Sequence, residues 1–278
     1  MPVVILNSSS FVGELSEVPE RGVEYASLVT LAPDPDQPPI RAYLKIFPSD
    51  YGLGLPGRGL INELVGYLCA EWAGRRVPPS AGLIALDYAQ LSSPPDFLDP
   101  ARPVICWWTQ DAKANSLHAA WNPAVLPPAS QAAVREEDVA REFFTKHSAT
   151  ASIVAFDDLV ANVDRNIGNL LQAGGDLILI DHAYSLTGPS WKSTDLVAEG
   201  KYRNEVRRLM GSNGDLLPFK AKIMNEHANM VSKLDPKMGE LKGWLDHLLD
   251  AGDSVAAHEF ILKRFCPALA AERVGVLI

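Results

Sequence analysis

Cysteine is scarce in this chain of 278 residues. The three present, Cys69, Cys106 and Cys266, are far apart and odd in number, which excludes a disulfide framework and a cysteine zinc site. Long apolar runs are missing too. No stretch approaches the ~18–20 residues needed to cross a bilayer, so no membrane contact is expected. The opening residues, MPVVILNSSS, carry no positively charged region, so no secretory signal is expected and a cytoplasmic location follows. Positive charge is in deficit: 25 Lys and Arg against 34 Asp and Glu give 25 − 34 = −9. A pI near 5.2 argues against a broad nucleic-acid footprint, and no direct nucleic-acid contact is expected. Proline is rare in the second part of the chain. Seventeen of 21 prolines lie in the first 128 residues and four in the last 150. Proline removes a backbone donor and breaks helices, so strands and turns should come first and helices last.

What is present is an ordinary globular composition, 47% hydrophobic and 21% charged, enough for one large domain or two modest ones. Residues 2–6, 23–31 and 40–47 are rich in β-branched and aromatic residues and predict strands, the last two joined as a hairpin through PDPDQPP at 33–39. Leu60, Leu64, Tyr67 and Glu71 recur at helical spacing over 59–74, and strands are expected at 82–88 and 102–108. The first part therefore reads β-β-β-α-β-β. After Pro128 the spacing predicts helices over 129–146 and 149–162, then a hairpin of 169–172 and 177–181 turned by Gly174-Gly175. The remainder reads as helical, with Asp235-Pro236 as cap and first position of one helix.

The stretch FDDLVANVDRNIGNLLQAGGDLILIDHAYS, residues 156–185, carries the chemistry. Asp164 and Asn169 are five apart in a polar loop, and Asp181 closes an apolar strand twelve residues later. Phosphoryl transfer needs such parts: an Asp that orients a hydroxyl and accepts its proton, an Asn in the same loop on a magnesium ion, and an Asp after the hairpin on the metal bridging the phosphates. Hard Mg²⁺ favours oxygen ligands of this kind. Each residue alone is more often a cap or turn former; the ordered triple in helix-loop-hairpin context is the signal.

VDRNIGNLL…LILIDHAYS resembles the catalytic loop and metal segment of HipA-like kinases, in particular their compact stand-alone branch. It is also similar to the matching segments of phosphatidylinositol kinases and other kinase-fold phosphotransferases. The likeness is specific over about 30 residues and loose elsewhere. It implies an α+β, two-lobed protein-kinase-like fold, with a small β-rich N-lobe (1–108) holding one main helix and a larger helical C-lobe (109–278) carrying a catalytic β-hairpin. It implies ATP and Mg²⁺ as cofactors, Asp164 as base, and Asn169 and Asp181 as metal ligands. The acceptor would be a hydroxyl of a protein or a small molecule. The likeness also raises toxin–antitoxin activity with an antitoxin-type partner protein. Asp181-His182-Ala183 stands where conventional protein kinases have D-F-G, and Asn162-Val163-Asp164 where they have H-R-D.

A nucleotide site also needs a cation. Lys45 lies inside the apolar strand Tyr43-Leu44-Lys45-Ile46-Phe47, where an unpaired ammonium is costly, and Glu63 on the following helix is its natural partner. The alternatives are an edge-strand lysine and a first-turn acid. By position Asn7–Gly13 is the candidate phosphate-covering loop, with Ser8, Ser9 or Ser10 as binding or autophosphorylation sites; an ordinary serine-rich turn accounts for it equally well. Trp107 and Trp108 fall at the expected lobe junction. Neighbours in a strand point to opposite faces, so one ring is expected inward and the other over the nucleotide cleft. Arg165 either steadies the loop or a phosphate, or pairs with a local carboxylate, and His182 is given no role.

Residues 52–57, GLGLPG, satisfy the pattern G-x-G-x-x-G of dinucleotide folds. The preceding hairpin, the gap after Phe47 and the position of the first strand-ending acid, Asp87, thirty rather than about 20 residues past Gly57, argue against that reading. Competing functions on the kinase-like scaffold are a small-molecule or lipid-type phosphotransferase and a non-catalytic binding module.

Overall fold

Alternation of apolar residues organises the first half of the chain. The computed structural model describes residues 3–17, 25–52, 54–121 and 129–276, and the side chains of 129–135 are outside that description. Strands β1 (Val4–Leu6), β2 (Phe11–Glu17), β3 (Tyr25–Leu31), β4 (Ile40–Ile46), β5 (Ala81–Leu86) and β6 (Val104–Gln110) form one mixed sheet in the order β1-β5-β6-β4-β3-β2. Only β1 with β5 is parallel. Val29, Leu31, Leu44, Ile46, Ile84, Cys106 and Trp108 fill a core on one face, closed by Leu91 and Leu98 of the segment after β5. The other face receives helix α1 (Gly59–Trp72).

Helix α1 is buried on nearly every side, with 11 of its 14 residues inside. One flank packs on the sheet and the other on the helical half. A second core joins α1, Leu83 and Trp107 to that half without a break. Short β7 (Asn115–Ser116) and α2 (Leu117–Trp121) lead into α3 (Ala129–Lys146) and α4 (Thr150–Val160). The hairpin β8 (Leu170–Ala173) and β9 (Asp176–Leu179) follows, with β7 as its third strand. Then come α5 (Glu205–Met210), α6 (Leu217–Leu234), α7 (Met238–Leu248), α8 (Ala251–Arg264) and α9 (Pro267–Val274). Central α4 buries ten of its 11 residues, including Ile153, Phe156, Leu159 and Val160. None of the described helices is long and apolar enough to cross a membrane. Cys69 and Cys106 are buried and Cys266 is exposed, all free.

The α+β architecture, the proline divide and the rejection of a dinucleotide fingerprint agree with the sequence, but two local features, β2 and Asp235, differ. Strand β2 was not expected. It sits at the sheet edge with two register breaks and with Val12 and Leu15 exposed, so it has no clean alternation to read. Asp235 is not an N-cap: it has helical angles at the end of α6, and a 3-10 turn carries the chain directly into α7. The glycines of GLGLPG form a tight turn between β4 and α1. Gly52 and Gly54 have positive φ, and a Cβ on Gly57 would lie 2.0 Å from the Pro48 carbonyl oxygen. Because β4 and β5 are not neighbours in the sheet, there is no βαβ unit to bind a dinucleotide there. Residues 122–128, just ahead of the helix expected over 129–146, lie outside the described residues.

Arg264 ties the helical half together. Fully buried, it donates to the carbonyls of Asp158, Leu159, Ala198 and Gly200, and its guanidinium lies 5.2 Å from the Tyr202 and Phe260 ring centres. Replacing it strands the Leu159 and Gly200 carbonyls, takes a donor from those of Asp158 and Ala198, and removes one of two guanidinium partners of Asp158. Arg264→Met should lower unfolding stability by about 3–5 kcal/mol, read from a urea transition.

Candidate active site

Lys45, an interior strand lysine, meets its partners between the two halves. Register sets it opposite Ala26 and Trp107, on the sheet face that looks toward α1. Its Nζ lies 2.6 Å from Glu63 Oε1 and 2.8 Å from Asp181 Oδ1. Glu63 is almost wholly buried on α1, and its other oxygen accepts the His182 backbone N–H at 2.9 Å. Asp181 keeps 29% of its side chain exposed, so it forms the open end of this chain of charges. Burial, the largest influence, pushes the Glu63 carboxyl up, and Lys45 offsets part of that. Burial also opposes ionisation of Asp181, but the pull of Lys45 and then of Arg165 holds its carboxyl below the usual range.

The segment after β9 is shaped for this contact. Asp181 adopts φ 57, a left-handed conformation that a residue with a Cβ takes at a cost. Asn62, one residue before Glu63, donates to the carbonyls of Ala183 and Gly188 at 2.7 Å each and accepts from Trp191 Nε1 at 3.0 Å. Gly66, one turn further along α1, leaves room for His182: a Cβ there would lie 2.3 Å from the His182 Cβ.

Arg165 is the hub of the adjoining loop. It has no exposed surface and pairs with Asp157 Oδ1 at 3.2 Å, while burial pushes the Asp157 carboxyl up to about 6. It donates to the Ile180 carbonyl, reaches the Asn169 carbonyl at 3.4 Å, and lies 2.9 Å from His182 Nδ1. A donor at that distance makes Nδ1 the acceptor of a neutral ring. Burial first, then Arg165 and Lys45, push the His182 pKa well down. One buried cation therefore joins α4, the 162–169 loop and the 180–182 segment.

Asp164 and Asn169 are set by the same loop. Asn162 Oδ1 accepts the Asp164 N–H at 3.0 Å, and Asn169 Nδ2 donates to the Asp164 carbonyl at 2.8 Å. That bond fixes the Asn169 amide and leaves its Oδ1 for another partner. Asp164 is half-buried, and its Oδ2 accepts from Asn166 at 3.2 Å. Burial raises its pKa; Asn166, Arg203 and Arg165 lower it, and the charge of Asp181 adds to the rise. The arrangement supplies a half-exposed carboxylate able to take a proton, a second carboxylate beside a fixed ammonium, and a free amide oxygen. Among the described residues no group of three His, Cys, Asp or Glu is placed to hold a metal alone. Asn169 Oδ1 with Asp181 is the sparser oxygen set that suits Mg²⁺ when phosphates and water complete its shell.

The structure does not bring Ser8, Ser9 and Ser10 to this site. They form a 3-10 turn between β1 and β2, next to Ala32, whose N–H donates to the Ser10 carbonyl at 2.8 Å. Leu31 is five residues along β3 from Ala26, the partner of Lys45, so the serines stand at the far end of the sheet, ~17 Å away. Strand β2 ends and β3 begins at the Lys45 end of the sheet, because Glu17 pairs with Ser27 and Tyr25 with Ile46; residues 18–24 join them. These lie outside the described residues. Neither tryptophan covers the cleft. Trp107 packs edge-on against Tyr67 at 5.8 Å, Trp108 lies in the opposite core, and both are fully buried because both sheet faces are covered.

Arg165, His182, Asn62 and Gly66 were not picked out by sequence reasoning, beyond an even choice for Arg165. Arg165 next to Asp164, eight residues after an acid on a buried helix, was the one available signal. No family model matches the chain, and no curated protein matches it.

Removing the Lys45 ammonium leaves Glu63 buried with a single backbone donor. The folded chain then holds a proton on Glu63 over a pH range in which the unfolded chain does not, so stability falls as pH rises through that range. Lys45→Met should therefore cost about 3–5 kcal/mol at pH 8 and markedly less at pH 5, read from chemical denaturation at both pH values. An equal cost at both would remove Glu63 as the responsible group.

Proposed function

We propose that this protein is an ATP-dependent phosphotransferase of the HipA-like, serine/threonine kinase type, passing the γ-phosphate to a hydroxyl. The observation that carries the reading is Lys45 held between Glu63 and Asp181, next to a loop in which Asp164 and Asn169 are locked together. Glu63 keeps the lysine extended, and Lys45 is a cation positioned to receive the phosphates of a nucleotide. Asp181 and the free Asn169 oxygen are the residues that would hold Mg²⁺, which when bound neutralises charge on the transferring phosphoryl group. Asp164 orients the acceptor hydroxyl and takes its proton as oxygen attacks phosphorus and ADP leaves. Its raised carboxyl pKa suits a base better than that of a fully solvated aspartate. Arg165 acts through position, holding the loop and the 180–182 segment in one frame.

A second reading, with a small molecule as acceptor, is favoured by a cation-lined cavity in the helical half.

Transfer from γ-labelled ATP with Mg²⁺ tests the reaction. Asp164→Ala and Asp181→Ala should each lose at least about a hundredfold in turnover. Wild-type turnover in Asp164→Ala would end this mechanism. ATP should also raise the thermal midpoint of the wild type only when Mg²⁺ is present.

A further inference from the structure

The chain is acidic overall, yet one cavity of about 470 Å³ is lined by five cationic side chains and two carboxylates. The cations are Lys201, Arg203, Arg207, Arg208 and Arg273, and the carboxylates are Asp158 and Asp215. It opens between α4, the segment 201–204, α5 and α9. Its size falls in the roughly 300–1,000 Å³ range of small-molecule pockets.

The cations are not equally committed. Arg273 is locked in the wall, buried against Asp158 at 3.0 Å. Arg203 and Arg208 share the buried carboxylate of Glu205, and Arg208 also reaches Glu137 Oε1 at 3.3 Å. Both remain open to solvent, 65% and 49% exposed. Arg207 is anchored by the Val274 carbonyl at 3.0 Å, and its ion-pair partner Asp215 is 70% exposed. An exposed pair of that kind is held weakly and yields to a stronger anion. Lys201 is exposed and makes no ion pair with a described residue. Guanidinium forks suit the oxygens of a phosphate group better than any other side chain does.

The cavity is also tied to the reaction loop. Asn204 Nδ2 donates to the Val154 carbonyl of α4 at 2.9 Å, and α4 runs directly into the loop bearing Asp164.

We propose that this cavity binds a phosphate monoester group, a proposal independent of the phosphotransferase reading.

Binding of ³²P-labelled orthophosphate, measured by equilibrium dialysis without nucleotide or Mg²⁺, tests the site separately from transfer. The wild type should bind saturably. Lys201→Gln/Arg203→Gln, which alters only exposed side chains, and Arg207→Gln should each weaken binding at least tenfold, with folding checked by circular dichroism. Absence of saturable binding, or unchanged binding in both folded variants, would overturn the proposal whatever the transfer assay shows. Competition by glycerol 3-phosphate and by a capped phosphoserine pentapeptide identifies the source of the group. Both should displace orthophosphate if a free metabolite is bound, and the peptide alone should gain affinity if a phosphoprotein is. Displacement by neither would overturn the monoester assignment and leave orthophosphate as an adventitious ion only.

Discussion

An ammonium group between two carboxylates from opposite halves of the chain is the constraint on which the site depends. Lys45 comes from the sheet, Glu63 from the helix packed on it, and Asp181 from the strand end of the helical half. Glu63 is too deeply buried to remain charged without Lys45, and Lys45 is too enclosed to do without acids. The requirement fixes the distance between β4 and α1. It also draws the 181–183 segment onto α1, where Asn62 and the space left by Gly66 complete the contact. The cleft is thus a product of charge satisfaction as much as of apolar packing.

A second buried cation serves the other side of the cleft. Arg165 fills the space under the 162–169 loop and binds groups from α4, from the loop itself and from the end of β9. The two cations differ in exposure: Lys45 keeps 17% of its side chain exposed, while Arg165 is wholly buried. The proposed phosphoryl transfer needs that difference, because the reacting groups must be held rigidly while one cation remains accessible.

Much of this was legible in the residues, and for identifiable reasons. Strands with strict alternation, such as 25–31, and helices with a marked apolar period, such as 150–160, stand where the pattern puts them. The triple Asp164, Asn169 and Asp181 and the pair Lys45 and Glu63 are signals of order and type, and the chain brings all five to one region. Edge strand β2 was illegible because its apolar residues point outward and its register slips. The serine turn was misplaced because the first strand joins the far edge of the sheet through a parallel pairing with β5, a non-local choice.

The sequence by itself determined the division into a proline-rich sheet half and a helical half, and the chemical identity of the residues at the site. Those properties are local: backbone donors, periodicity and side-chain type need no partner to be read. Only the tertiary structure decided that Glu63 spans from Lys45 to the His182 amide, that both tryptophans are interior, and that Arg165 is sealed under the loop. It alone collected Lys201, Arg203, Arg207, Arg208 and Arg273 around one cavity in an acidic protein. Such groupings depend on which distant segments pack together, and burial then sets the charge state and availability of each side chain.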